Sequence, residues 1–351
     1  MKIRTSFLPP LLAILASPLA IGQHSATTVP VGVVNYTLPA TSQLTNNFLA
    51  VPLLPQPVFS GRVSAFDANF VEVTGTPFTD GDLSQPDSPF FLKITDGAQA
   101  GRMVLITGNT SNRLYVDTSD NSAQVTPLNS SSFSIAVGDP IQVVPGDTLA
   151  SFFGDNTADN PIIIVGASSP LSADTVGIYN RTTSRHDIFY FSTSLGHWRT
   201  TSSTVNRNNT ILFPESSFIL TRRAGRPALT LSISGEVPSV SPLTKISGSN
   251  QVVYSSSRFP IPLALSELSL QNWTKSNSPL SADTLGVYNP TLSKFEVYFQ
   301  RLDSTWRKVG DSSTDQSNFI INPESAVVFQ KRGSVSGSTS YLSTPLPYPI
   351  N

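Results

Sequence analysis

The stretch Ser169-Pro-Leu-Ser-Ala-Asp-Thr-Val-Gly-Ile-Tyr-Asn180 returns as Ser278-Pro-Leu-Ser-Ala-Asp-Thr-Leu-Gly-Val-Tyr-Asn289, identical at ten of twelve positions. Both differences exchange one aliphatic side chain for another, so the chain carries an internal duplication. With single-residue gaps, the match runs on: Tyr190-Phe191 pairs with Tyr298-Phe299, Trp198-Arg199 with Trp306-Arg307, Pro214-Glu215-Ser216 with Pro323-Glu324-Ser325, and Arg222-Arg223 with Lys331-Arg332. Each unit, roughly 55 residues, is too long for a solenoid repeat and suits one half of a domain. Inside it, short β-branched or aromatic runs (Thr175 to Tyr179, Asp187 to Phe191, Gly196 to Thr200, Phe218 to Arg222) alternate with Ser, Thr and Asn clusters. That pattern predicts an antiparallel meander.

Further upstream, Val51-Pro-Leu53 matches Ile261-Pro-Leu263, and each follows an apolar strand (Val31 to Leu38; Ala228 to Ile233) and a polar loop. Leu53 lies 116 residues before Ser169, whereas Leu263 lies 15 before Ser278. The first copy therefore carries an insertion. Residues 57–147 read as a small β-domain: Phe59 to Phe66, Phe70 to Thr74, Phe90 to Ile94, Met103 to Thr107, Leu114 to Val116 and Ile141 to Val144 are strand-like, with turn signals at Asp80-Gly-Asp82, Asp96-Gly97 and Gly138-Asp-Pro140. Six short strands suggest a partly closed barrel. The expected fold is all-β: a duplicated antiparallel β-domain, with sandwich or barrel-like halves, holding an inserted small β-barrel-like domain. Its plan is a signal peptide (1–22), the first strands of one unit (23–56), the insertion (57–147), the rest of that unit (148–225), a second unit (226–334) and a Ser/Pro-rich tail (335–351).

Composition agrees with strands and turns. Ser (51) and Thr (34) outnumber the 22 basic and 23 acidic residues, Gly and Pro number 21 and 28, and cysteine is absent. Disulfides and thiolate metal sites are thereby excluded. Lys2 and Arg4 precede an apolar stretch from Phe7 to Leu19 that Pro9, Pro10 and Pro18 break, and small residues at Ala20 and Gly22 fit a cleavage site before Gln23. Export follows, to periplasm, cell surface or exterior. No later run reaches the ~18 apolar residues of a membrane span. Six Asn-x-Ser/Thr sites (Asn35, Asn109, Asn129, Asn180, Asn208, Asn272) are what a hydroxyl-rich chain produces by composition, and a cysteine-free exported protein of this length suits a bacterium.

The signal peptide, the Val-Pro-Leu strand, Asp96-Gly-Ala-Gln-Ala-Gly-Arg-Met-Val-Leu-Ile-Thr-Gly-Asn109, Gly138-Asp-Pro-Ile141, Thr148-Leu-Ala-Ser-Phe-Phe-Gly154 and the duplicated Asp-Thr and Trp-Arg units are carried by nearly the whole mature chain. In this combination the chain resembles a family of bacterial exported proteins with no established activity. The resemblance implies location and architecture and transfers no catalytic residue.

His24, His186 and His197 are the three histidines, and the repeat counterparts of the last two are not His. No nucleophile elbow, phosphate-binding loop or His-Glu-x-x-His helix occurs. The repeat supplies two carboxylate pairs, Asp174 with Asp283 and Glu215 with Glu324, which could serve glycoside hydrolysis if they met across one bond. Their plain alternative is turn and loop hydrogen bonding. The acidic loops at Asp117 to Asn121 and Asp155 to Asn160 lack the spacing of a Ca²⁺-binding loop. No metal, cofactor or nucleic-acid partner is implied, since the charge is slightly negative and basic runs are short. Glycan binding would draw on Trp198, Trp273 and Trp306, with Arg199 and Arg307 beside two of them. Trp198 and Trp306 read as core, and Trp273, in Gln271-Asn-Trp-Thr-Lys275, as the exposed candidate. The leading expectation is a non-enzymatic exported structural or binding protein of the envelope or exterior, its partner a glycan or another envelope protein, with oligomeric state left open. The alternative is a carbohydrate-active protein, either a binding module or a hydrolase.

Overall fold

The structure, a computed structural model, describes residues 30–349 apart from 123, 132, 215, 248–251, 257, 258, 269, 271 and 333–338. The expected signal peptide and Glu215 lie outside the described residues. The fold is all-β, the one α-helix among the described residues being the short Leu149–Phe153 segment. We number the strands of three or more residues.

The first unit contains β1 (Val31–Leu38) and β2 (Thr45–Ala50), and the chain then leaves it for β3 (Phe59–Phe66), β4 (Phe70–Val73), β5 (Ser88–Ile94), β6 (Met103–Asn109), β7 (Arg113–Asp117) and β8 (Pro140–Pro145). These six strands pair antiparallel in the order β8-β3-β4-β7-β6-β5, and β8 pairs again with β5. The barrel is therefore closed and has no free edge. Strand alternation fills it: Leu114 and Val116 are buried between half-exposed Arg113, Tyr115 and Asp117. Entry and exit of the barrel touch, since Val58 N–H donates to the Val143 carbonyl at 2.9 Å.

The first unit resumes with β9 (Thr175–Asn180), β10 (Arg185–Ser192), β11 (His197–Thr200), β12 (Ser217–Arg222) and β13 (Leu229–Glu236). One sheet has the order β11-β10-β9-β12-β2, and β1 pairs with β13. Because β2 is hydrogen-bonded to β12 along its length, the barrel is an insertion within this sheet. The second unit comprises β14 (Leu243–Ser247), β15 (Val252–Ser256), β16 (Thr284–Asn289), β17 (Lys294–Gln300), β18 (Trp306–Lys308), β19 (Ala326–Gln330) and β20 (Thr339–Ser343). Its sheet runs β18-β17-β16-β19-β15 and β14 pairs with β20, the same order strand for strand.

Three details depart from the sequence reading. The strand from Ala228 to Ile233 is the hydrogen-bonded partner of Val31 to Leu38, with Tyr36 opposite Leu231 and Val34 opposite Ile233, and not its counterpart. The boundary at 225/226 therefore moves: β13 closes the first unit, and the second begins near Leu243. Part of the expected tail is structural, since Thr339–Ser343 closes the second unit against Leu243–Ser247. Finally, Val176 faces Phe189 as Leu285 faces Tyr298, so Phe189 is the counterpart of Tyr298 and the first single-residue gap falls in the turn before each Trp. Any apolar alternating strand can pair with another, and one sequence does not say which.

Candidate functional site

The repeated carboxylates are buried pins. Asp174 and Asp283 are 2% and 0% exposed. Asp174 accepts from the backbone N–H of Arg223 (2.9 Å) and of Val165 (3.3 Å), and from Arg226 Nε (2.8 Å). Asp283 accepts from the backbone N–H of Arg332 (2.7 Å) and of Thr274 (2.7 Å), and from Lys331 Nζ (2.9 Å). Each carboxylate ties the start of its hairpin to two distant segments and is balanced by one cation. A buried charge saturated in this way holds structure and has no lone pair turned to a substrate.

The Trp-Arg pairs divide as the strand period dictates. Trp198 and Trp306 are 0% and 1% exposed in the cores of their units, whereas Arg199 and Arg307 are half-buried on the opposite face. Arg199 lies over the Tyr190 ring at 5.5 Å, and Arg307 pairs with Asp315 at 3.4 Å. Trp273 overturns its expected exposure. It packs at 6.2 Å from Trp306 and 6.3 Å from Phe329, because Asn272 Nδ2 donates to the Tyr341 carbonyl and Thr274 N–H to Asp283, which turns the polar flanks outward and the ring in. The acidic loops cap themselves: Asp117 accepts from Ser119, and Asp155 from Thr157. Among the described residues no group of three His, Asp or Glu is placed to hold a metal ion.

The units meet through an interlock with twofold character. Phe48 on β2 packs on Tyr288 (4.4 Å) and Phe295 (4.8 Å) of the second unit. Its counterpart Tyr254 on β15 packs on Tyr179 (4.7 Å) and His186 (4.8 Å) of the first, and Phe48 and Tyr254 stack at 6.5 Å. Beside each half of the interlock lies a cleft. In the cleft next to Phe48, Asn289 Nδ2 donates to Glu296 at 3.1 Å; next to Tyr254, Asn180 Nδ2 donates to Asp187 at 3.0 Å.

The two clefts differ in what fills them. That beside Phe48 is open, with a volume of about 890 Å³, and Glu324 stands exposed on its rim. Lys308 and Asn289 hold the Glu296 carboxyl below its usual range. Across its twofold counterpart lies the barrel, which leaves an inner space of about 80 Å³ and an outer groove of about 730 Å³, Asn121 bordering both. The barrel is held there by hydrogen bonds from both units. Within the barrel, Arg102 Nε and Nη2 donate to Asp120 at 3.1 and 3.0 Å; from the units, Tyr341 OH donates to Asp120 at 2.7 Å and Arg181 Nη1 donates to the Asp120 carbonyl at 3.2 Å. Lys245 Nζ donates to the carbonyls of Thr118, Ser119 and Gln124. Gly101, at φ +86°, lets the barrel backbone reach the second unit: Leu243 N–H donates to its carbonyl, and a Cβ there would lie 1.9 Å from the Ser241 oxygen.

No protein-family model matches the chain, and no curated protein or solved structure matches it. The cleft residues Phe48, Tyr288, Glu296 and Asn322 went unrecognised in the sequence; the signal available was the repeated Asn-to-carboxylate pairing at Asn180 and Asp187, Asn289 and Glu296.

Proposed function

We propose that this chain is a non-enzymatic exported binding protein of the cell envelope or extracellular space, in which a duplicated β-scaffold, braced by the barrel, presents the open cleft between its units. The observation that carries this reading is the contrast between two sets of carboxylates. Asp174 and Asp283, the repeated candidates for acid-base work, are buried and fully engaged, while the cleft offers exposed polar side chains beside aromatic faces. Export and a bacterial source rest on the Lys2-to-Gly22 segment and the lack of cysteine. Described residues contain no helix long and apolar enough to cross a membrane, which agrees with a protein that acts without a helical span.

A second reading, glycoside hydrolysis, draws on Glu296 and Glu324, which both line the cleft. Two assays separate them. A thermal-shift screen of saccharides, peptides and nucleotides is expected to yield a ligand that raises the midpoint, with the rise reduced in Asn322→Ala. Reducing-end release from soluble starch, xylan and β-glucan is expected to stay at the background of Glu324→Gln. Release that vanishes in Glu324→Gln would replace the binding reading with the hydrolase.

A further inference from the structure

The repeat places the residues of one cleft against those of the other. Pro290 follows Asn289 as Arg181 follows Asn180. Arg181, one of the cations with which the counterpart cleft grips the barrel loop, is thus a proline in the open cleft. An acidic protein loop, whether from a partner or from the barrel of a second copy, would find no counter-charge there. Among the described residues, no Lys, Arg or His lines the open cleft. Phosphates, nucleic acid and uronic-acid chains are disfavoured on the same ground.

A basic ligand fares little better. The Glu296 carboxylate is already paired with Lys308 and hydrogen-bonded by Asn289, which leaves Glu324 as the single uncompensated charge, at the rim. What remains is a neutral surface of a particular kind. The half-buried rings of Phe48 and Phe319 line it, with Tyr288 buried beneath Phe48, while Asn322 contributes an exposed amide and Thr37 and Thr291 contribute hydroxyls. Aromatic faces accept the C–H faces of a pyranose, and amides and hydroxyls both donate and accept, as sugar hydroxyls do. Resting on the binding reading above, we propose that the open cleft binds a neutral oligosaccharide. Its volume of about 890 Å³ accommodates several sugar residues.

The test uses the full chain with maltohexaose, cellohexaose and xylohexaose, against hexagalacturonate and hexalysine, by calorimetric titration. At least one neutral hexasaccharide is expected to bind with Kd of about 1 mM or tighter. Asn322→Ala and Glu324→Gln, both at exposed positions, are expected to weaken it ~3- to ~10-fold with unchanged denaturation midpoints. Failure of all three neutral sugars, equal binding in both variants, or tighter binding of hexagalacturonate would overturn the proposal. Tight hexalysine binding that is lost in Glu324→Gln would overturn it too, while leaving the binding-protein reading standing. That reading falls if, in addition, no ligand of any class from the thermal-shift screen responds to the cleft variants.

Discussion

At the scale of single residues, the two repeated tryptophans occupy the same place in their units yet are anchored differently. Trp198 Nε1 donates to the Gly154 carbonyl at 2.7 Å, whereas Trp306 Nε1 has no hydrogen-bond partner among the described residues. Both rings are fully buried, so either Trp→Ala change is expected to destabilise by ~3 to ~5 kcal/mol. Trp→Phe separates them. At 198 the change also leaves a buried carbonyl without its donor, and it should cost about 1 kcal/mol more than at 306. Urea midpoints of the four variants check this, and equal costs for the two Phe variants would count against it. The sequence made these rings legible as core because the strand period of two sends each Trp and the Arg after it to opposite faces. Trp273 was not legible. Its neighbours Asn272 and Thr274 look like a solvated loop until their partners, Tyr341 and Asp283, are known from distant parts of the chain.

At the scale of elements, the barrel is both an excisable insertion and a part of the packing. Its ends meet at Val58 and Val143, so replacing 58–144 by a short Gly/Ser linker preserves every strand of both sheets. Excision nevertheless strips partners from buried charges: Glu236 loses Lys93, at 3.3 Å, and Lys245 loses the carbonyls of the 118–124 loop. The expected outcome is cooperative unfolding with a lowered midpoint that Glu236→Gln and Lys245→Met partly restore; loss of cooperativity in every version would place the barrel in the folding core. The same lysine carries a pH signature in the intact chain. Burial, the largest cause, pushes Lys245 down to about 8, with Asp120 opposing the shift. Its folded pKa is then below that of the unfolded chain, about 10.4, so between those values the unfolded state holds more protons and stability rises with pH. The stability difference between parent and Lys245→Met should therefore shift in the parent's favour from pH 8 to pH 10, by at most about 1.4 kcal/mol per pH unit; a flat difference would contradict it. The insertion was legible because it interrupts a repeat. Its closure and its docking against one cleft were not, since they depend on the pairing of Ile141 with Ile94 and on contacts of Asp120 with Tyr341 and of Lys245 with the 118–124 carbonyls, which no local pattern encodes.

At the scale of the whole molecule, two like units are joined by an aromatic interlock whose halves differ at one telling position. Where Phe295 packs on Phe48, His186 packs on Tyr254, with Tyr179 at 5.2 Å and Asp187 beside it in the chain. The Nε2 atom of His186 has no hydrogen-bond partner among the described residues. Burial, only partly offset by the Asp187 charge, pushes its pKa below the ordinary histidine value. In the unfolded chain the imidazole takes up its proton as pH falls through about 6.5, while in the folded protein it resists doing so. The contribution of this neutral ring is therefore fully present above pH 6.5 and is lost as pH drops below it. His186→Phe gives this half the ring that Phe295 supplies in the other and removes the titration. It is expected to leave the urea midpoint at pH 7.5 equal to or above that of the parent, since a ring of the same type already fits the matching half. At pH 5 the variant should keep more of its stability than the parent does. Parallel losses in the two proteins between pH 7.5 and pH 5 would mean that the acid sensitivity of the joint arises elsewhere and that the interlock tolerates a charged ring.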